Sequence, residues 1–305
     1  MRLLVTGREG QVARALIERG AKAGHEVIAL GRPQLDLAGE KSAMVAAVLS
    51  VRPDAIVSAA AYTAVDKAES EPDLAFAVNA NGPAALASAA AALDVPLLHL
   101  STDYVFDGLK GAPYVEGDLT APTGVYGASK LAGEEAVRAG CPNHVILRTA
   151  WVYSPFGTNF VKTMLRLGSS LDELSVVFDQ VGNPSSALDI AAGILAVAAN
   201  LVGNSDPARR GTFHMAGGGS VSWAAFADGI FAVSRAAGGP TARVKQIATA
   251  DYPTAAKRPA NSRLDCAKLY QTHDVRLPDW SQSMREVVTQ LVQQQYPLTK
   301  GPVGQ

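Results

Sequence analysis

Arg2-Leu3-Leu4-Val5-Thr6-Gly7-Arg8-Glu9-Gly10-Gln11-Val12-Ala13 opens the chain on a short apolar run, a glycine turn and the start of a helical pattern reaching about residue 23. A continuous apolar run suits a strand buried on both faces, the kind found in parallel sheets. Gly7 lets the chain turn sharply. Gly10 lets backbone come close to a ligand held at the positive end of the following helix. Strand, glycine turn and helix in this order form the context of a dinucleotide-binding fingerprint, with Gln11 and Val12 opening the helix. Ala13 stands where a third glycine is usual and is still small enough for close helix–strand packing. By itself the turn is equally consistent with an ordinary βα loop.

The pattern continues outward from that stretch. Apolar strands at 25–30, 54–58, 95–100 and 145–148 alternate with helical patterns at 41–51, 74–92 and 124–139. This alternation predicts an α/β fold, a doubly wound parallel sheet of the Rossmann-like kind, over residues 1–150. After Trp151 the pattern loosens into helices at 160–167, 187–202, 223–237 and 281–294, with short strands at 174–178 and 211–214. We expect a smaller, mixed C-terminal substrate lobe over residues 151–295, with later segments returning to the sheet, and a disordered tail over 296–305.

Composition narrows the function classes. At 305 residues, 48% of them hydrophobic, the chain can bury a large core. The formal net charge of -1, with no block of like charges, points to neither nucleic acid nor an anionic membrane as partner. No leading apolar segment resembles a signal peptide, and no apolar run is long enough for a membrane-spanning helix, so a cytoplasmic location is expected. Cys141 and Cys266 lack metal or redox-motif spacing and the five histidines are scattered, so no metal site is expected from these residues.

The chemistry-bearing residues fall at strand ends. The second strand ends in Gly31-Arg32-Pro33. At this point of a dinucleotide fold a carboxylate selects a free ribose 2′-hydroxyl, whereas an arginine accepts a 2′-phosphate. Arg32, helped by Arg8, fits the phosphate; both also fit plain solvated charges. The small residues Ala59-Ala60-Ala61 before Tyr62 and Thr63 suit a flat cofactor lying on backbone. The fourth strand runs into Ser101-Thr102-Asp103-Tyr104-Val105-Phe106-Asp107-Gly108. In Tyr126-Gly127-Ala128-Ser129-Lys130, a tyrosine and a lysine four apart share one helix face. An ammonium near a phenol favours phenolate and makes the pair a proton donor for carbonyl reduction. Spacing alone more often describes an exposed pair on a helix surface.

Taken in register, Gly7-x-x-Gly10, Ser101-Thr102-Asp103 and Tyr126-x-x-x-Lys130 resemble the extended short-chain dehydrogenase/reductases. The residues 59–69, 101–108, 157–161, 179–184 and 258–262 narrow the resemblance to the dTDP-4-dehydrorhamnose reductase family over nearly the whole chain. Ala13 and Ser58 depart from the family pattern, which usually has glycine and asparagine there; neither departure removes a catalytic group. The resemblance implies a nucleotide-sugar substrate bearing a 4-keto-6-deoxy sugar, with Thr102, Tyr126 and Lys130 catalytic. It implies that Tyr126 donates the proton, Lys130 lowers the tyrosine pKa and holds the nicotinamide ribose, and Thr102 stabilises the carbonyl oxygen. It places Asp36 and Leu37 beside the adenine and Asn79 at the cofactor site. Asp103 and Trp151 match sugar contacts, Trp151 having a core reading as well. Asn159, Arg258 and Asn261 are candidates for the nucleotide diphosphate, because planar arginine matches phosphate geometry. NADPH is the expected cofactor, with NADH also accepted. A homodimer, and a Mg ion at a subunit contact near Glu69, are left open. The rival readings are a reductase or epimerase of another nucleotide sugar, and a non-catalytic dinucleotide-binding regulatory subunit.

Overall fold

In the computed structural model, which describes residues 1–295, the first half alternates as expected. It runs β1 (Arg2–Thr6), α1 (Gln11–Lys22), β2 (Glu26–Leu30), α2 (Lys41–Val51), β3 (Ala55–Ser58), α3 (Val65–Ala68) and α4 (Pro72–Phe76). A π-helical turn (Ala77–Asn81) leads to α5 (Gly82–Leu93), β4 (Leu97–Thr102), a 3₁₀ turn (Asp103–Val105), α6 (Val125–Gly140) and β5 (His144–Thr149). The second half holds β6 (Val152–Tyr153), α7 (Phe160–Gly168), β7 (Glu173–Val177), β8 (Val181–Gly182), β9 (Ser185–Ser186), α8 (Ala187–Leu201) and β10 (Gly211–His214). It ends with β11 (Val221–Ser222), α9 (Trp223–Ala236), β12 (Arg243–Ile247), β13 (Asn261–Ser262), α10 (Ala267–His273) and α11 (Trp280–Gln295). The tail expected over 296–305 lies outside the described residues.

The main sheet is six-stranded and parallel, in the order β10-β5-β4-β3-β1-β2. Strand order reverses between β1 and β3, and the crevice beyond their carboxyl ends is where such folds bind ligands. The period of two along β1 sends Leu3 and Val5 into a core with α1 and α8, and Leu4 into another with α2 and α5. Both faces are covered, which explains the unbroken apolar run in the sequence. β10 and α8 come from the second half, yet they extend the sheet and pack on α1. The rest of that half forms a mixed lobe in which α7, α9 and α11 pack with β7 and β12 around Phe226, Ile230 and Leu291.

One expected element is broken. The helix read over 74–92 is interrupted by the π turn before α5. Pro83 cannot donate to a preceding turn. A side chain at Gly82 would sit 2.9 Å from Leu37 Cβ, so only glycine lets the two segments touch. The widened turn carries Asn79 inward, fully buried.

Candidate active site

A cleft of about 1150 Å³ runs along the carboxyl ends of β1, β3 and β4. Its walls include Gly7, Arg8, Gly10, Gln11, Val12, Arg32, Asp36, Leu37, Ala61, Tyr62, Thr63, Tyr126 and Lys130, which gathers most of the residues expected at the cofactor. Gly7 has φ +88°, and a side chain there would lie 3.1 Å from Ala60 Cβ. Gly10 faces open space. No side chain caps the start of α1, so its first amides remain available to an anion. Thr149 Oγ1 lies buried on the cleft wall with no hydrogen-bond partner. Uncapped helix, glycine approach and flanking arginines fit a dinucleotide phosphate group. The Gln11 side chain has different work: its Oε1 accepts from Ser154 Oγ (2.7 Å) and Asn159 Nδ2 (2.9 Å), tying α1 to the second lobe.

Asn79 reaches the cleft indirectly. Its Oδ1 accepts from the Tyr62 amide, and its Nδ2 donates to Tyr62 O and Ser129 Oγ. It therefore pins the cofactor loop to α6 with its own polar atoms already paired. The Tyr62 hydroxyl donates to Glu71 at 2.5 Å, and that bond pushes its pKa up to about 12.

The catalytic candidates converge from two elements. Thr102 ends β4, and Tyr126 and Lys130 lie one turn apart on α6, which packs on β4. The Thr102 hydroxyl donates to Asp103 Oδ1 at 3.0 Å and accepts from the Tyr104 amide. Tyr104 meets the Tyr126 ring edge-on, centroids 5.5 Å apart. Burial pushes the Tyr126 phenol well above its ordinary pKa, and the Thr102 hydroxyl pulls it partly back. Lys130 is buried and donates to Leu100 O at 2.6 Å; burial lowers its pKa to about 8, with Glu134 opposing. The Leu100 carbonyl holds the ammonium against β4, one turn along α6 from the Tyr126 ring.

Around the far end of the cleft the structure separates the substrate candidates. Asp103 is buried beside Thr102 with Oδ2 lacking a hydrogen-bond partner. Burial raises its pKa to about 6 against the pull of the Ser262 and Thr102 hydroxyls. Trp151, at φ +48°, stacks on Trp223 with centroids 3.5 Å apart and planes 8° apart. A side chain at Gly182 would fall 2.5 Å from Trp151 Cε2, so much of the indole is already covered by protein. Arg258 pairs with Asp66 at 2.6 Å, while its Nη1 is buried without a partner. The other two candidates are engaged elsewhere. Asn159 caps α7 through the Lys162 amide and donates to Ser154 O and Phe156 O. Asn261 holds the loop through Lys110 O and Ala112 O, with its Oδ1 on Arg263.

Sequence reading missed several residues beneath the site. Glu134 is fully buried, accepting from Ser101 Oγ (2.6 Å), from Arg148 through two nitrogens (2.8 and 2.7 Å) and from Arg138 (2.5 Å). Its signal was present, a carboxylate one helical turn beyond Lys130. Arg148 and Trp223 carried none, because strand pairing and inter-lobe packing bring them in. Glu69 accepts from the Val125 amide at the first turn of α6. Among the described residues no group of three or more His, Cys, Asp or Glu is arranged to hold a metal, and no helix is long and apolar enough to cross a membrane.

Fold and cleft together define a dinucleotide-binding α/β protein whose cleft is lined by Tyr126 and Lys130. The profile of the RmlD substrate binding domain matches residues 1–293, and the chain belongs to that family. It is 54% identical to a dTDP-4-dehydrorhamnose reductase of Sinorhizobium fredii over 292 residues, covering 96% of this chain and 98% of the relative. Among solved structures it is similar to a dTDP-4-dehydrorhamnose reductase of Bacillus anthracis in complex with NADP (TM-score 0.88, 34% identity, 95% and 99% of the two chains). A Clostridium acetobutylicum dTDP-4-dehydrorhamnose reductase is similar to the same extent (TM-score 0.86, 38% identity, 95% and 99%).

Proposed function

We propose that this chain reduces the C4 ketone of dTDP-4-dehydro-L-rhamnose to dTDP-L-rhamnose, using NADPH in preference to NADH, in nucleotide-sugar biosynthesis. The observation that carries it is the meeting of Thr102, Tyr126 and Lys130 beside a cleft sized for a dinucleotide. The names and coverage of the relatives supply the substrate class.

The turn from Gly7 to Val12 would hold the phosphates of the dinucleotide, whose reduced nicotinamide would supply the hydride. Tyr126 gives its proton to the oxygen that becomes the C4 alkoxide. Raising the phenol's pKa by burial keeps the proton on Tyr126 until negative charge develops beside it. The Thr102 hydroxyl turns from Asp103 to that oxygen, a preorganised donor worth several kcal/mol in such sites, on the order of 3. Lys130 brings positive charge under the reacting centre and donates to the ribose. Asp103, with a free carboxylate oxygen, accepts from a sugar hydroxyl. Arg258 takes the diphosphate in exchange for Asp66.

A coupled assay with dTDP-4-keto-6-deoxy-L-lyxo-hexulose and each reduced cofactor tests the proposal. Cofactor oxidation dependent on that sugar is expected. Turnover only with a uridine-linked ketone would transfer the chain to another nucleotide sugar. Dinucleotide binding without turnover on any ketone would make it a regulatory subunit.

A further inference from the structure

Two successive turns of α6 grip two successive residues of β4. Lys130 Nζ bonds Leu100 O, and Glu134 bonds the hydroxyl of Ser101. The next residue along β4 is Thr102, and one turn back along α6 is Tyr126. The whole grip is out of water: Lys130 is 3% exposed and Glu134 0%. A lone buried carboxylate would be too costly to keep, and here Arg148 from β5 compensates it through two nitrogens. We propose that Glu134 is a positioning residue of the reduction: it locks the helix of Tyr126 and Lys130 in register with the strand of Thr102, and it sets a buried carboxylate one helical turn from the Lys130 ammonium.

The charges around Lys130 support this and set the sign. On α6 itself are Tyr126, Glu134 and Arg138, the last partly exposed. From β4, His99 faces the ammonium at 3.5 Å, and its burial keeps it neutral. β5 brings Arg148 and His144, both cationic or neutral, and the 3₁₀ turn brings Asp103 and Tyr104. The π turn and α5 bring no titratable side chain, and Asp66, Lys67 and Asp73 of α3 and α4 are exposed. Burial drives Lys130 toward the neutral amine, and Glu134 is the group that opposes it. Without that charge Lys130 loses its proton at lower pH.

This rests on the reductase reading for its kinetic arm alone. The first arm is a titration of the chain labelled with ¹³Cε-lysine, the Lys130 resonance assigned through Lys130→Met. A midpoint lower by at least about half a pH unit in Glu134→Gln than in wild type is expected. A midpoint that does not move overturns the charge role, whether or not the chain is a reductase. In the kinetic arm, the alkaline limb of turnover moves to lower pH in Glu134→Gln and stays in place in Glu134→Asp. An equal loss at every pH overturns the charge role, and the register role then stands or falls with Ser101→Ala. If Glu134→Gln fails to fold, Ser101→Ala breaks the grip and leaves the ion pair. Turnover reduced at least about fivefold with NADPH affinity within about twofold is then expected. Wild-type turnover in Ser101→Ala overturns the register role.

Discussion

Lys130 Nζ donates to the carbonyl oxygen of Leu100 at 2.6 Å, which fastens the buried ammonium of α6 to the strand that ends in Thr102. Burial raises the pKa of Tyr126, and the proposed part of the lysine is to add positive charge and a ribose contact. A cation held dry in this way carries a desolvation penalty that the fold tolerates for function.

That penalty has a defined pH window. Burial brings Lys130 from 10.5 to about 8, so between those values the folded chain binds fewer protons than the unfolded one. Stability from this group rises with pH across about 8 to 10.5, and below 8 the full penalty is present. Lys130→Met should thus raise the melting temperature at pH 7 by a few degrees, on the order of 1–2 kcal/mol after the loss of the Leu100 bond. The advantage should shrink as pH approaches 10.5, while turnover and NADPH affinity both fall. A variant that melts below wild type at pH 7 would mean that the buried charge is fully compensated.

Tyr126→Phe keeps the ring and its edge contact with Tyr104 and removes the proton donor. The hydride step should slow by about two to four orders of magnitude with NADPH affinity almost unchanged. Stopped-flow reduction and a binding titration measure the two quantities separately. Retention of more than about a tenth of the wild-type rate would assign the proton to another group.

The sheet was legible because its strands are buried on both faces: the runs at Leu3-Leu4-Val5 and Leu97-Leu98 have no competing amphipathic reading. The break at Ala77–Asn81 was not, because an alanine-rich stretch favours continuous helix and the close approach of Gly82 to Leu37 is tertiary. β10 read correctly as a strand, but its place at the sheet edge depends on the whole crossover through α8. In the site, the glycine turn and the Tyr126–Lys130 pair carry local spacing, and the structure brings them to one cleft. Asn79, Asn159 and Asn261 show the opposite case. Each lies near the cleft or its loops, but backbone groups that spacing cannot reveal have claimed its polar atoms.

Asp103 provides an acid-side test. Burial lifts its carboxyl to about 6, so it gains a proton well before an ordinary aspartate does. In its proposed role of accepting from the sugar, it should impose a fall in kcat/KM as pH drops through about 6. Asp103→Asn should remove that limb and raise the Michaelis constant for the sugar, leaving NADPH binding intact. A limb that persists in the Asn variant belongs to another group.

Arg32 is the residue proposed to set the choice of cofactor. It lines the cleft just after β2, and the side chain of Arg8 packs against the neighbouring Gly31, 3.2 Å from where a Cβ would stand. No carboxylate occupies this strand tip; Asp36 lies further along the wall, with Oδ1 bound to the Ala38 amide. Glu9 and Asp36 also line this cleft, and the arginine pair at the strand tip is proposed to accept the 2′-phosphate, so NADPH should bind more tightly than NADH while both are used. A guanidinium–phosphate contact at this partly exposed site is worth roughly tenfold to a hundredfold in affinity. Arg32→Ala should lose about that factor for NADPH and much less for NADH, and added salt should narrow the wild-type difference by screening the exposed charges. Binding titrations of both cofactors at low and high salt give the four numbers required. Equal losses for the two cofactors, or a wild-type preference for NADH, would remove Arg32 from the 2′ position and leave the chemistry at Tyr126 unaffected.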